Sequence, residues 1–462
     1  MSGKASNWVC HNGLHTVTFR KVAIFFATTL LVAQDTVQNV TKQARQRIQN
    51  GDFQSASQLL QQGVQQHPSD VELWNLLGIA DAELKQTNAA KRAFEHGLAL
   101  APDSVSLNEN IGLVFFKQAD YETAKKYLGR AVELNSQKPG VLFSLAASRL
   151  RTGEQDQALA DLRLLEPALA NVSDYWQERA RAELSKNPGA AERSFDRALE
   201  LTPDDLGALN GAATAAEKQG LDEKALAYLI RARAAFPKDV ATLAHFGEVC
   251  IRRDLGPDAR DALAKAHELD PTNNAVLYLL ARADISLENW QQAYDLFDDF
   301  SKRVPTFAPA YYAMGWLDIR LNRTEDARRQ LNHALTLDPN LAGARYELAQ
   351  LDLEEGEIEP AKKLFEQLLN VNPKDAKANT AMGDIMMRSG KLEEAQTLLE
   401  NAIAQDPMLA AAHYKLSLLY FRKHEREKAE SEKAIAARLN DEATRTSKTQ
   451  LRLVLPEAAS AH

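Results

Sequence analysis

The side chains that most often perform catalysis or bind metals are scattered along this sequence. Five histidines lie far apart from one another in the sequence: His96, His245, His267, His333 and His413. The two cysteines, Cys10 and Cys250, are too far apart in the sequence for a disulfide framework or a cysteine metal cluster. Cys250 lies in an apolar helical pattern and is expected in the core. We therefore predict no metal site.

Acidic residues cluster at one point of the chain, in the sequence Glu354, Glu355, Glu357 and Glu359. A charge run in a turn region is usually a solvated surface, so we assign it no acid-base role. The sequence contains no G-x-S-x-G, H-E-x-x-H, paired C-x-x-C or G-x-G-x-x-G motif, and Gly390-Lys391 lacks the other residues of a phosphate loop. We predict that the chain is not an enzyme and binds no cofactor.

Composition indicates a folded chain without affinity for polyanions. The 462 residues are 45% hydrophobic and 26% charged, which is typical of globular proteins. The formal net charge is -8 and the pI is near 5.8. Sequence-independent phosphate binding needs clustered Lys and Arg, so nucleic acid is not an expected partner.

The amino terminus has a different composition from the rest. Lys4, Arg20 and Lys21 precede an apolar run of twelve residues, 22–33. A helix needs about 20 residues to span a bilayer, whereas a basic region followed by a short apolar run is typical of a secretory signal. We predict that residues 1–33 are such a signal, that its cleavage leaves no membrane span, and that the protein is periplasmic or secreted. An uncleaved anchor through 22–33 and a misassigned start are the alternatives.

An interval of thirty-four residues runs through the rest of the chain and is plainest in proline. The prolines that follow it are Pro68, Pro102, Pro203, Pro237, Pro271, Pro305, Pro339, Pro373 and Pro407. Only the gap between Pro102 and Pro203 departs from the interval, being one residue short of three periods. Twelve consecutive repeats cover 37–443. A period of this length determines the architecture before any local assignment.

Two places within each repeat are restricted to small residues. The twentieth place is always alanine: Ala56, Ala90, Ala124, Ala158, Ala191, Ala225, Ala259, Ala293, Ala327, Ala361, Ala395 and Ala429. The eighth place is alanine, glycine or serine in every repeat except one, where it is Arg179. Glycine inside a helix costs about 0.5–1 kcal/mol relative to alanine, so we expect a close neighbour at the eighth place and assign that role to the twentieth-place alanines. Proline then ends the second helix of each pair.

These features resemble the tetratricopeptide repeat. The spacing of Trp74, Leu77 and Gly78, followed by Ala90, Phe94 and Pro102, is similar to the family pattern. The resemblance implies an all-α solenoid, a right-handed superhelix of antiparallel helix pairs whose first helices line a concave groove. We expect irregular packing near 171–205, where Arg179 departs from the pattern.

The end of the array has its own pattern. The repeat at 410–443 is expected to be a terminal cap, because Arg426 and Lys433 replace residues that are apolar in other repeats, and the last repeat of a solenoid must turn a polar face to water. Residues 444–462 form a carboxy-terminal tail.

In this family the second, fifth, sixth, ninth, twelfth and thirteenth places tend to face the groove. Here the fifth and ninth places hold aromatic and polar side chains in three consecutive repeats. The residues that we predict to bind a partner are Tyr278, Arg282, Tyr312, Trp316, Tyr346 and Gln350. Aromatic residues and arginine often dominate binding energy, and Trp316 is the strongest candidate because the repeat does not require a tryptophan there. The alternative is that the tyrosines are part of the framework.

The sequence therefore predicts a non-catalytic protein-protein interaction scaffold outside the cytoplasm that binds a protein or peptide segment in its groove. The alternative is an accessory subunit that positions a partner enzyme in envelope, secretion or glycan machinery. No three consecutive repeats match the carboxylate clamp of chaperone-binding family members. The identity of the partner and the oligomeric state stay open.

Overall fold

The computed structural model describes residues 37–446, and this part of the chain consists of helices and short turns without a strand. The predicted fold class is confirmed: the described residues form an all-α solenoid of paired helices. The predicted signal at 1–33 lies outside the described residues, as does most of the tail at 444–462.

The helices alternate between a first and a second member of each pair. The first members are α1 (37–49), α3 (Val71–Glu83), α5 (Val105–Lys117), α7 (Pro139–Arg151), α9 (Ser173–Glu183), α11 (Leu206–Glu217), α13 (Val240–Arg252), α15 (Asn274–Ser286), α17 (Ala308–Arg320), α19 (Ala342–Glu354), α21 (Ala376–Arg388) and α23 (Ala410–Arg422). The second members are α2 (Phe53–Gln66), α4 (Thr87–Leu100), α6 (Tyr121–Glu133), α8 (Gln155–Leu169), α10 (Pro188–Leu201), α12 (Asp222–Ala235), α14 (Gly256–Leu269), α16 (Trp290–Arg303), α18 (Thr324–Leu337), α20 (Ile358–Val371), α22 (Leu392–Gln405) and α24 (Arg426–Thr446).

The chain divides into two compact parts, Met1–Gly211 and Ala212–His462. The described residues of the first part contain α1 to α10, and those of the second part contain α12 to α24, with the division inside α11. Within each part, a helix packs against the next one in the sequence, and first helices of consecutive repeats also touch, as α13 touches α15. Such packing between sequence neighbours is the defining property of a solenoid.

The residues that bound each helix explain why the period is so regular. Asp70, Asp239 and Asp375 precede first helices, and their carboxylates accept hydrogen bonds from backbone N–H groups three residues later, at 2.9, 2.7 and 2.8 Å. These caps satisfy donors that a helix start otherwise leaves unpaired. First helices end before a residue with positive φ, such as Asn322 (56°) or Gly390 (79°), which reverses the chain into the second helix.

The close contact inside each pair is made by the eighth place of the first helix and the twenty-fourth place of the repeat. A Cβ built on Gly315 would lie 2.7 Å from Cγ of Leu331, and one on Gly383 would lie 2.7 Å from Cγ of Leu399. The backbone of the twentieth-place Ala327 is also close to the Gly315 position, with its carbonyl oxygen at 3.2 Å, as expected, but the leucine side chain is nearer. All twelve alanines are nevertheless fully buried.

Arg179 stands at an eighth place, where the other repeats have a small residue. Its side chain forms polar contacts instead of allowing a close approach of the two helices. Its guanidinium donates to Glu166, to the hydroxyl of Tyr175 at 3.2 Å and to Oε1 of Glu183 at 3.3 Å. The hydroxyl of the fully buried Tyr175 in turn donates to the carbonyl of Leu162 at 2.9 Å. The irregular repeat therefore has a hydrogen-bonded interior where the others have a small apolar contact.

The last repeat has a polar exterior. Arg426 and Lys433 are exposed on α24, as the cap requires. Across residues 37–446, none of the helices combines the length and the apolar character that a membrane span requires.

Candidate functional site

The six residues predicted to bind a partner lie on α15, α17 and α19, which are first helices of the second part. The structure assigns them different surroundings. Tyr278 is fully buried, and its ring centroid lies 5.4, 5.3 and 5.7 Å from those of Phe297, Phe300 and Phe307. Burial raises the pKa of its hydroxyl. Tyr278 is thus a core side chain, which agrees with the framework alternative for this residue.

Trp316 is also interior, and the expectation of an exposed indole is corrected. Only 6% of the residue is accessible. Its ring meets that of Trp290 edge to face at 5.6 Å, and the guanidinium carbon of Arg320 lies 4.7 Å from its ring centroid. A partner approaching this point would therefore meet Arg320 before the indole.

Tyr312 is half-buried and lies against the backbone of the next first helix. A Cβ built on Gly343 would lie 2.8 Å from Cζ of Tyr312 and 2.9 Å from its hydroxyl oxygen. Burial raises the pKa of the Tyr312 hydroxyl, and the carboxyl of Glu347 acts in the same direction. The absence of a side chain at Gly343 gives the ring its position.

Tyr346 and Gln350 form a hydrogen-bonded pair on α19. Nε2 of Gln350 donates to the hydroxyl of Tyr346 at 2.9 Å, and both residues are half-buried. The Tyr346 ring contacts Phe365 edge to face at 5.8 Å, with the ammonium of Lys377 at 5.9 Å from its centroid. Burial raises the pKa of Tyr346 to about 12, so the ring is neutral and amphipathic at physiological pH.

Arg282 is a half-buried cation for which no hydrogen bond or ion pair exists among the described residues. Burial lowers the pKa of its guanidinium, with Tyr278, Glu248 and Arg252 acting on it more weakly. Glu248 favours the charged form of Arg282, but its carboxylate also lies 3.7 Å from Arg252. The lowered pKa indicates that the nearby charges do not fully offset the desolvation of Arg282.

Two further groups on the same helices were missed by the sequence reasoning. Arg320 has no carboxylate partner among residues 37–446, and Glu347 is a half-buried carboxyl that no hydrogen bond within this range satisfies. Burial raises the pKa of Glu347, while Lys377 and Arg320 oppose that shift. Both residues occupy groove-facing places of the family pattern, the thirteenth and the sixth, so examining those places as well as the fifth and ninth would have identified them.

We call the residues of this region that retain exposed surface the first-helix surface; they are Arg282, Tyr312, Arg320, Tyr346, Glu347 and Gln350. It combines two aromatic rings with the exposed Arg320 and with two half-buried ionisable groups, Arg282 and Glu347, that have no hydrogen bond or close ion pair among the described residues. Partly desolvated ionisable groups such as these two tend to occur at functional sites. Aromatic rings and arginines often dominate the binding energy of protein interfaces.

The first part has a cavity of about 220 Å³ between α3, α4 and α5. Its walls include Ile79, Ala82, Phe94, Leu113 and Val114, with Asn110 and Lys117 at the edge. Nδ2 of Asn110 donates to Oδ1 of Asn75 at 2.8 Å, so the polar edge is already satisfied. Within 37–446, no three His, Cys, Asp or Glu side chains are grouped closely enough to hold a metal ion.

Comparison with known families gives the class of this protein. One tetratricopeptide repeat model matches residues 47–107, 257–317 and 318–385, and a second matches 109–172 and 179–240. A TPR repeat model matches residues 383–423. Since these matches extend over most of the helical region, the chain belongs to the tetratricopeptide repeat family.

Comparison with solved structures gives matches at low sequence identity. YrrB, described as a TPR protein with an unusual peptide-binding site, is 16% identical, with 40% of this chain and 95% of YrrB covered and a TM-score of 0.37. A chain of the APC/C hetero-tetramer Cut9-Hcn1 is 15% identical over 92% of both chains, with a TM-score of 0.44. A chain of Naa15/Naa10 bound to HypK-THB is 15% identical, with 86% of this chain and 68% of that one covered and a TM-score of 0.32. No curated protein matches the sequence significantly.

Proposed function

We propose that this protein is a non-catalytic scaffold that binds an extended segment of a partner protein along the first-helix surface. The observation that supports this most is that Arg282 and Glu347 are half-buried and have no hydrogen bond or close ion pair among the described residues. Tyr312 and Tyr346 lie on the same run of first helices. The family supports a protein-binding role, because tetratricopeptide repeats present their first helices to partners.

The energetics favour a ligand at this surface. Holding an ionisable group away from water without a partner costs free energy, and the pKa of Arg282 is lowered and that of Glu347 raised by burial. A bound segment that supplies hydrogen bonds recovers this cost on association. Tyr312 and Tyr346 are already held by Gly343 and Gln350, so ordering them on binding costs little entropy.

We also propose that the scaffold acts outside the cytoplasm, on the basis of the apolar run 22–33 after Arg20 and Lys21. N-terminal sequencing of the native protein tests this directly. A mature start at Gln34 is the expected result, and an intact Met1 in a soluble fraction would contradict export.

Peptide selection against the full chain tests the binding role. Twelve-residue peptides from a random display library are selected on immobilised wild-type protein, synthesised with a fluorophore, and their dissociation constants measured by anisotropy. Tyr346→Ala is expected to weaken the selected peptides about tenfold, which is the effect of removing a contact worth about 1.4 kcal/mol.

The matched control is Val371→Ala on α20, where the side chain is 76% exposed and lies at the end of a second helix. This change is expected to leave affinity unaltered. Peptides that lose affinity with Val371→Ala and not with Tyr346→Ala would place binding on the second helices and overturn the proposal. Circular dichroism of each variant verifies that the fold is retained.

A further inference from the structure

Several arginines of the second part are paired with carboxylates inside the chain. Arg252 contacts Glu217 at 2.6 Å and Asp222 at 3.2 Å, and Arg260 contacts Asp284 at 2.6 Å. Arg282 is half-buried and has no ion pair among the described residues. Arg320, on the next first helix, also has no ion pair in this part of the chain.

We propose that the partner segment is acidic and that one of its Asp or Glu side chains forms a bidentate ion pair with Arg282. This inference rests on the proposed function. A guanidinium offers two parallel N–H donors that match the two oxygens of a carboxylate. Half-burial of Arg282 reduces screening by water, so such a pair is stronger there than on an open surface.

Arg320 provides a second cation for the same segment. Its planar group lies over the indole of Trp316, with 4.7 Å between the guanidinium carbon and the ring centroid. Stacking occupies the face of the guanidinium and leaves its edge donors available for hydrogen bonds in the plane. A segment that follows α15 to α17 can therefore place one acidic side chain at each arginine.

The charges nearby favour separate carboxylates over a polyphosphate. Glu347 follows Arg320 on the next first helix and is close enough for Arg320 to act on its pKa. A continuous polyanion such as nucleic acid would meet this carboxyl, and the whole chain has a net charge of -8. A peptide avoids the repulsion by presenting neutral or basic side chains at Glu347.

The sequence favours side-chain carboxylates over a chain end. No three consecutive repeats match the carboxylate clamp with which chaperone-binding members of the family hold a C-terminal carboxylate. Tyr312 and Tyr346 lie on α17 and α19, after Arg282 on α15. An internal acidic residue can meet Arg282 while the segment continues over these rings.

The test uses the peptides selected on the full-length wild-type protein. We expect them to be enriched in Asp and Glu relative to the unselected library. For one enriched peptide, Arg282→Gln is expected to weaken binding about tenfold or more, as truncating one member of a desolvated charge pair costs at least about 1.4 kcal/mol. Arg282→Lys restores only part of the affinity, because an ammonium keeps the charge and loses the bidentate geometry.

Two controls accompany these variants. Arg329→Gln removes an arginine of α18 whose side chain is 76% exposed, and it is expected to change nothing. The same peptide with its acidic residues replaced by Asn or Gln is expected to lose affinity for wild-type protein, whereas amidation of its C-terminus is expected to have no effect. The measurements with altered peptides use wild-type protein, so they do not depend on whether the Arg282→Gln variant folds.

The possible outcomes distinguish a failure of this inference from a failure of the proposed function. Suppose that the selected peptides lose affinity with Tyr346→Ala. If they are not acidic, keep their affinity for Arg282→Gln, or need a free C-terminus, the inference is overturned and the proposed function is retained. If no peptide is selected, or none responds to either change, both are overturned. Preferential binding of a fluorescent oligonucleotide over acidic peptides would also contradict the inference.

Discussion

Nε of Arg260 on α14 donates to Oδ1 of the buried Asp284 on α15, at a distance of 2.6 Å. The two residues occupy the twenty-first place of one repeat and the eleventh place of the next. Arg328 and Asp352 make the same contact between α18 and α19. At the junction between these two, formed by α16 and α17, Tyr294 occupies the place of the arginine. The carboxylate at the eleventh place, Asp318, is fully buried and accepts no hydrogen bond from any described residue.

Asp318 gives the second part an unusual dependence on pH. Burial raises the pKa of its carboxyl to about 6, and Asp326 adds to this, while Arg323, at 3.7 Å from Oδ1, and Arg329 oppose it. The neutral form is therefore favoured by folding. Above pH 6 the buried carboxyl is ionised, which lowers the free energy of unfolding. This free energy is recovered as the pH falls from 6 towards 3.8, the pKa of the carboxyl in the unfolded chain.

We expect Asp318→Asn to raise the free energy of unfolding at pH 8 by about 1–3 kcal/mol, because one pKa unit corresponds to about 1.4 kcal/mol. The difference from wild type should shrink as the pH is lowered from 8 to 5. Urea denaturation across this range, followed by circular dichroism, measures it. Asp284→Asn is the control: it removes the negative charge that pairs with Arg260 and should destabilise. Parallel pH profiles for wild type and Asp318→Asn would contradict the assignment.

The Arg328–Asp352 contact should contribute measurably to stability. The side chain of Asp352 is 7% exposed and that of Arg328 is 27% exposed, so water screens the pair less than a surface ion pair. Arg328→Met leaves the carboxylate without this donor and is expected to cost about 1–3 kcal/mol. A double-mutant cycle with Asp352→Asn should give a coupling energy of at least 0.5 kcal/mol, on the scale found for directly interacting residues. Additive effects of the two changes would show that the contact contributes nothing.

The eighth-place glycines should not tolerate a methyl group. A Cβ on Gly112 would lie 2.7 Å from Cγ of Leu128 and 3.0 Å from its backbone nitrogen. Since the backbone of α6 cannot yield as a side-chain tip does, Gly112→Ala is expected to destabilise by about 1–3 kcal/mol. Gly129 lies in the same helix pair with no atom within 4 Å of the Cβ position, so Gly129→Ala should stabilise by about 0.5–1 kcal/mol. The melting temperatures of both variants are compared with that of wild type. Equal changes in melting temperature would show that Gly112 does not lie close to α6.

Cys250 should react only when the protein opens. The residue is fully buried on α13, and burial raises the pKa of its thiol to about 12. Since the thiolate is the reactive form, a Cys10→Ser variant should react with a disulfide reagent at pH 8 no faster than it unfolds. Adding urea below the transition should accelerate labelling in step with the population of opened molecules. Rapid labelling of the native protein would contradict burial.

The helix pairs were predictable because they depend on local rules. Caps such as Asp239 and the recurring prolines act within a few residues of their own position. The small eighth places contact the second helix of their own repeat. The surroundings of the fifth place depend instead on neighbouring repeats. Tyr312 stays half-exposed against Gly343, whereas Tyr278 turns into a group of rings that includes Phe307, and no period within one repeat distinguishes the two.

The candidate site was only partly predictable for a similar reason. Whether an arginine is paired depends on which residue the adjacent repeat places opposite it. The sequence indicated Arg282 by its place alone, and it gave no sign that Arg282 would lack a carboxylate while Arg260 would have one. Trp316 was expected on the surface because its size is not required by the repeat, yet Trp290 of the preceding repeat encloses it.

The missing charged contact at Asp318 affects how the second part would lose its structure. In a solenoid each helix pair is stabilised by its immediate neighbours, so a deficit at one junction is not shared along the array. Above neutral pH, separation of α16 from α17 would let water reach the ionised Asp318, which lowers the cost of this opening. It would expose the indoles of Trp290 and Trp316, which meet across that junction, while the pairs joined by Arg260 and Arg328 remain intact. Partial unfolding of this kind begins within the array and not at a terminus.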